Sequence, residues 1–343
     1  MGKQFGAKVS KSEQQRYENS DNWKEGKFVN LEETSMSIDI QNLPKLIYKQ
    51  FCKEKGREPE SPLPIVPFQK EQFLNDTEET QFIWYGHSVV LMRMQGKTIL
   101  IDPMLGGNAA PISPLPIKRF SKNTLELIND FPEIDLLLLT HDHYDHLDLD
   151  SIEALKSKVK SYYVALGVGR HLIKWGVKEE AILEFDWWNK QLFHDIEISF
   201  TPTRHFSGRG LTDKAKSLWG GWAFKSKKEN IWFSGDGGYG KHFKAIGEKL
   251  GPFDFAFMEC GQYNENWKLI HMFPEESVQA AKDAKVKKIM PVHWAGFALA
   301  QHHWTEPATR FVLEAQRTKV PYCLPKIGEQ ISYKDDREKH WWK

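Results

Sequence analysis

A chain of 343 residues, 40% hydrophobic and 27% charged, has the composition of a globular enzyme and length enough to bury a sizeable core. Its 47 basic and 46 acidic side chains leave a formal net charge of +1, which excludes an overall electrostatic design for nucleic acid. Three cysteines, Cys52, Cys260 and Cys323, form no C-x-x-C pair and cannot build a disulfide framework, so a reducing, cytoplasmic setting is expected.

Residues 1 to about 35 are polar and weakly patterned, as in an extended or wrapping arm. The opening MGKQFGAKVSK lacks the apolar stretch of a secretory signal, and Gly6 breaks the myristoylation pattern. From Asn42 to Lys55 the pattern turns helical, with Leu43, Leu46, Ile47 and Phe51 on one face and Lys45, Lys49 and Lys53 on another. Such a helix either docks on the body or lies against a membrane surface, which would make the protein peripheral there. SPLPIVP, residues 61–67, reads as a stiff connector. Residues 1–67 are thereby set apart as an N-terminal extension, and 68–343 as the main domain.

Short apolar runs then alternate with turn residues. Phe82–Tyr85, Val89–Met92, Thr98–Ile101 and Leu136–Leu139 are predicted strands, as are Ile196–Thr201, Gly221–Phe224, Ile231–Ser234, Phe255–Met258 and Lys288–Val292. Helices are predicted at Ser151–Lys158, Gly169–Trp175, Lys241–Lys249, Glu275–Lys282 and Glu306–Gln316, so the body is a layered α/β fold. No run approaches the ~20 apolar residues of a membrane span. The loop from Met104 to Asn123 is long, Pro-rich and basic through Lys118, Arg119 and Lys122. The 13 tryptophans suit either an aromatic core or an apolar substrate groove.

The chemistry concentrates in LLLLTHDHYDHLD. A buried strand ends at Thr140 and releases His141, His143, Asp145 and His146 into the following loop. Alternate residues of an extended segment point the same way, so His141 and His143 can face one ion, while Asp145 and His146 reach a second. Imidazole and carboxylate donors suit zinc, with manganese or iron as alternatives. Four such donors crowded together without a metal would leave costly unpaired polar groups. His205, Asp236 and His293 stand at similar strand-to-loop boundaries. His171, His194 and His242 look structural or solvent-facing, His87 divides between core and site, and His302 and His303 are candidates for a pocket rim.

H-x-H-x-D-H followed by His, Asp and His on later loops resembles the metallo-β-lactamase superfamily, over about Phe82 to Ile331. Within it the similarity is greatest to the N-acyl-phosphatidylethanolamine-hydrolysing phospholipase D group, through THDHYDHLD, SLWGGWAF, FSGDGGYG, GPFDFAFMECGQY and VHWAGFALA. The arm matches that group poorly, and Asp142 stands where it often has Asn. The resemblance implies a four-layered αββα sandwich with two zinc ions. His141, His143 and His205 would hold one ion, Asp145, His146 and His293 the other, and Asp236 would bridge them. Asp102 would orient ligands from behind. His271, in WKLIHMFPEE, would sit beside the reactive centre and position the phosphate or protonate the leaving alcohol, so Asp145, Asp236 and His271 are the catalytic candidates. A hydroxide between the ions would attack a phosphodiester, releasing phosphatidic acid and an N-acylethanolamine. A lactonase or sugar-phosphate hydrolase, a tRNA-processing type of nuclease, and a non-catalytic metal-binding module are the alternatives.

Overall fold

The computed structural model describes residues 2–35, 55–75, 79–110, 116–336 and 340–342. The amphipathic helix expected at 42–55 therefore falls almost wholly outside the described residues.

A short hairpin, β1 (Trp23–Lys24) and β2 (Lys27–Phe28), precedes the body. In chain order follow β3 (Gln81–Trp84), β4 (Val90–Met94), β5 (Lys97–Ile101), β6 (Leu136–Leu139), β7 (Tyr162–Ala165) and β8 (Ile182–Phe185). These six and a returning β15 (Gln330–Ser332) form one sheet in the order β15-β3-β4-β5-β6-β7-β8. Its β15 to β5 half is antiparallel, and its β5 to β8 half is parallel. The second sheet uses β9 (Lys190–Phe193), β10 (Ile196–Thr201), β11 (Gly221–Lys225), β12 (Asn230–Phe233), β13 (Phe255–Glu259) and β14 (Ile289–Val292). Its order is β14-β13-β12-β11-β10-β9.

The sheets meet face to face. Phe82 of β3 packs its ring on Phe255 and Phe257 of β13, and Phe185 of β8 packs on Trp222 of β11. Central strands such as β6 and β12 are buried along their whole length, which is why they read as unbroken apolar runs.

The helices are α1 (Lys11–Tyr17), α2 (Lys70–Leu74), α3 (Leu127–Asp130), α4 (Leu149–Leu155), α5 (Gly169–Lys174), α6 (His242–Lys249), α7 (Pro274–Asp283) and α8 (Glu306–Thr318). α6, α7 and α8 pack in succession, with α7 also touching β13, while α5 covers β8. Helices thus flank both sheets, giving the αββα sandwich. Trp84, Trp219, Trp222, Trp232 and Trp294 are among its largest fully buried side chains, so most of the tryptophan goes to core. Among the described residues, no helix is long and apolar enough to cross a membrane.

The arm is not merely draped over the body. Ser10 and Glu13 close a capping box on α1, and Tyr17, Trp23 and Phe28 are buried as one aromatic cluster. Further back, Arg170 Nε donates to the Ala7 carbonyl (3.1 Å), Trp175 Nε1 to that of Lys3 (2.9 Å) and Arg209 Nε to that of Gln4 (2.9 Å). One expectation is corrected. Arg119 is not part of an exposed basic loop: it turns inward and donates to the carbonyls of Met104 and Tyr85, both at 2.6 Å. Lys118 and Lys122 remain exposed.

Candidate metal centre

The site lies where strands of both sheets end. β6 runs between β5 and β7 and delivers Thr140 and His141 to the rim. Asp148 caps α4 by accepting from the Ser151 N–H (2.9 Å), which fixes where the H-x-H-x-D-H loop must close. β5 ends before Asp102, β10 before His205, β12 before Asp236 and β14 before His293. Asp236 needs the glycines beside it: Gly235 has φ +67°, and a Cβ there would lie 2.3 Å from the Gly220 carbonyl oxygen. His87 and His293, both at positive φ, tie the two sheets together through His87 N–H to Trp294 O (2.7 Å) and His293 N–H to His87 O (2.9 Å).

The side chains converge in overlapping groups. Donor atoms of His141, His143 and His205 lie within 4.8 Å of one another, and so do those of His87, Asp145, His146 and His293. Asp236 belongs with both sides: its carboxylate groups with His141 and His146, and again with His205 and His271. Asp236 Oδ2 is 3.0 Å from His146 Nε2 and 2.8 Å from His293 Nε2. Asp145 Oδ2 is 2.9 Å from His87 Nε2, 3.3 Å from His293 Nε2 and 3.5 Å from His146 Nε2. The metal-ligand and catalytic candidates from the sequence are therefore gathered into one cluster, and His271 rests with its ring centroid 5.1 Å from that of His205.

This donor set suits divalent cations. The outward nitrogen of three of the imidazoles is occupied: His141 Nδ1 by Thr140 Oγ1 (2.9 Å), His205 Nδ1 by the Ile270 carbonyl (2.9 Å) and His146 Nδ1 by Asp102 (2.7 Å). Their Nε2 atoms are left to face inward, the arrangement by which outer partners fix a ligand's tautomer. Asp102 is itself held by the Thr140 N–H and hydroxyl, at 2.8 and 2.7 Å.

The electrostatics follow burial and charge. Burial drives His141 and His205 well below the ordinary imidazole range, reinforced by neighbouring histidines. His87 falls to about 3 for the same reasons. Burial also opposes charge on His293, but Asp236 and Asp145 lift it to about 10, and the carboxylates of Asp236, Asp145 and Asp102 raise His146.

Glu259, absent from the sequence-based candidates, is fully buried with Oε1 2.8 Å from His271 Nδ1 and Oε2 accepting from the Met272 N–H (3.1 Å). It ends β13, so the same strand-end criterion that picked Asp236 and His293 would have found it. His302 lies outside the cluster: its Nε2 accepts from the Gln262 N–H (3.0 Å) and its ring stacks on Tyr263. His171 and His242 are buried, and His194 is exposed.

Residues 97–294 match the family described as the beta-lactamase superfamily domain. The chain belongs to the metallo-β-lactamase superfamily and is a metal-dependent hydrolase of that fold. It stands close to the phospholipase D group that hydrolyses N-acyl-phosphatidylethanolamine. A member from Caenorhabditis elegans is 30% identical over 287 residues, covering 78% of this chain and 80% of that one. An uncharacterized protein of Mycobacterium tuberculosis is 34% identical over 332 residues, 95% of this chain and 88% of its own. Among solved structures, the metallo hydrolase Igni18 of Ignicoccus hospitalis overlays with a TM-score of 0.59 at 20% identity, over 75% of this chain and 99% of its own.

Proposed function

We propose that the protein is a dinuclear phosphodiesterase of the phospholipase D type, cleaving N-acyl-phosphatidylethanolamine or a close relative to phosphatidic acid and an N-acylethanolamine. The observation that carries the dinuclear part is the position of Asp236, whose carboxylate groups with donors from both sides of the centre. In this reading His141, His143 and His205 hold one ion, Asp145, His146 and His293 the other, and Asp236 spans them. Two zinc ions, when bound, supply Lewis acidity and lower the pKa of water from 15.7 towards about 7.

The protein's own contribution is orientation and proton handling. Asp102 keeps His146 turned inward, and His87 anchors Asp145 through its Nε2. Glu259 engages His271 Nδ1, so Nε2 is the atom that meets the phosphate or the leaving oxygen. His271 Nδ1 and Glu259 Oε1 share a buried contact while the ring keeps part of its edge open, as a group touching substrate requires. The substrate class rests on the named activity of the C. elegans relative and of the mitochondrial enzyme of Saccharomyces cerevisiae, which is 32% identical over 262 residues.

The test is a screen of zinc-loaded protein against N-acyl-phosphatidylethanolamine vesicles, a soluble chromogenic phosphodiester and a sugar lactone, with metal content measured in parallel. Release of N-acylethanolamine by protein carrying about two ions per chain is the expected result. Turnover of the lactone alone would move the assignment to the lactonase branch.

A further inference from the structure

His205 sits in a stretch that no strand or helix supports: between the end of β10 at Thr201 and the start of β11 at Gly221 the backbone runs as turns and irregular chain. A candidate ligand on such a loop must have its backbone groups satisfied from elsewhere. The partner comes from the N-terminal segment, well upstream of the span matched by the superfamily. Asn30 Nδ2 donates to the His205 carbonyl (2.8 Å), and the His205 N–H donates to Asn30 Oδ1 (3.1 Å). One side-chain amide thus serves both backbone groups of one residue, as a neighbouring strand would.

Asn30 is itself fixed. The Trp219 indole N–H also donates to its Oδ1 (3.1 Å), and Trp219 is buried. The residues that follow repeat the grip: Arg204 Nε donates to Thr34 Oγ1 (3.0 Å), the Arg204 guanidinium reaches the Glu33 carbonyl, and the Lys241 N–H donates to Glu32 Oε2 (2.8 Å). With the Ile270 carbonyl on Nδ1, His205 is held at its N–H, its carbonyl and its ring. The same stretch, with Phe206, Trp219 and Ile270, borders a cavity of about 570 Å³ that reaches His205.

We propose that Asn30 is a positioning residue of the metal centre: it clamps the backbone of His205 so that Nε2 stays registered with His141 and His143. The inference rests on His205 being a ligand, as proposed above. The N-terminal segment then belongs to the working site and is more than an appendage to a self-sufficient domain.

The experiment uses full-length protein reloaded with cobalt, whose absorption spectrum reports ligand geometry, together with zinc affinity from chelator competition. Asn30→Ala should weaken zinc binding by about 10–100-fold, as loss of an outer partner does, and should alter the cobalt spectrum. His205→Ala sets the scale for complete loss of that ligand. Asn30→Asp keeps the volume and the acceptor but turns an oxygen towards the His205 carbonyl, so it should shift the spectrum in the same direction, and it carries the test if the alanine variant does not fold. Variants that melt earlier yet bind zinc as the parent does, with the parental spectrum, would make Asn30 a fold element only and overturn the proposal. If His205→Ala also binds both ions like the parent, the ligand assignment itself has failed.

Discussion

His141, His143 and His205 on one side of Asp236, and Asp145, His146 and His293 on the other, are buried to similar depth but supported differently. The first trio leans on neutral oxygens, Thr140 Oγ1 and the Ile270 carbonyl, and burial keeps His141 and His205 uncharged. The second is interleaved with carboxylates, Asp102 behind His146 and Asp236 beside His293, which outweigh burial and hold positive charge. The contrast teaches that burial alone makes an imidazole a neutral donor, whereas buried carboxylates make the pocket a well for positive charge. Asp236 also pulls on His141 and His205, but there burial outweighs it, so the field that favours positive charge is stronger on the second side.

Four measurements would break or sharpen that contrast, the largest effect first. Asp236→Asn places a neutral amide where both sides share a carboxylate, and should cost about 4 kcal/mol of barrier, roughly a thousandfold in kcat, with the fold intact. Near-parental turnover with both ions present would remove Asp236 from its bridging role. His146→Ala and Asp145→Ala should each lower metal content from about two ions per chain to about one. A single tight ion in the parent, untouched by either change, would end the two-sided description.

Third, Asp102→Ala should weaken zinc affinity by about 10–100-fold, and more than Thr140→Val does, because charged support is removed in one case and neutral support in the other. Chelator competition on the two variants decides it, and equal losses would mean the difference in backing carries no energetic weight.

The last measurement isolates burial from any buried carboxylate. His242 is buried with no carboxylate partner among the described residues, and burial, with Arg204 adding to it, holds it at about 3. The unfolded chain therefore binds a proton near pH 6.5 that the folded chain refuses. Stability should be lost as pH falls below 6.5, by about 1.4 kcal/mol per pH unit until the folded value is approached. His242→Phe should remove that slope, and thermal melts between pH 7 and 4.5 that fall equally in both proteins would contradict the assignment.

How much of this was legible beforehand depended on where the information sits along the chain. The four leucines of β6 and the donors that follow them are consecutive, so strand and site could be read together. β10 was placed residue for residue because Ile196–Thr201 is bounded by turns and its apolar Ile196, Ile198 and Phe200 recur at every second position. β9 is largely exposed and its Leu192 and Phe193 are adjacent, not alternating, so it went unread, as did β15, whose three residues pair with β3 only after the chain has returned. Arg119 was misjudged because an arginine that satisfies its guanidinium on carbonyls looks, in sequence, like any surface cation. Asn30 had no local signature, since its function is defined by a residue far along the chain.

The centre collects its donors from His87 to His293 and from the ends of strands in both sheets. Order of synthesis then matters. The cluster His141–His146 emerges long before His205, Asp236 and His293 exist, and on its own it can offer a metal only a partial shell. Stable acquisition of metal by the whole donor set has to wait until the second sheet has closed on the first. Metal uptake is therefore a late event in the life of the chain, and a supply of metal during translation should matter less than a supply after release.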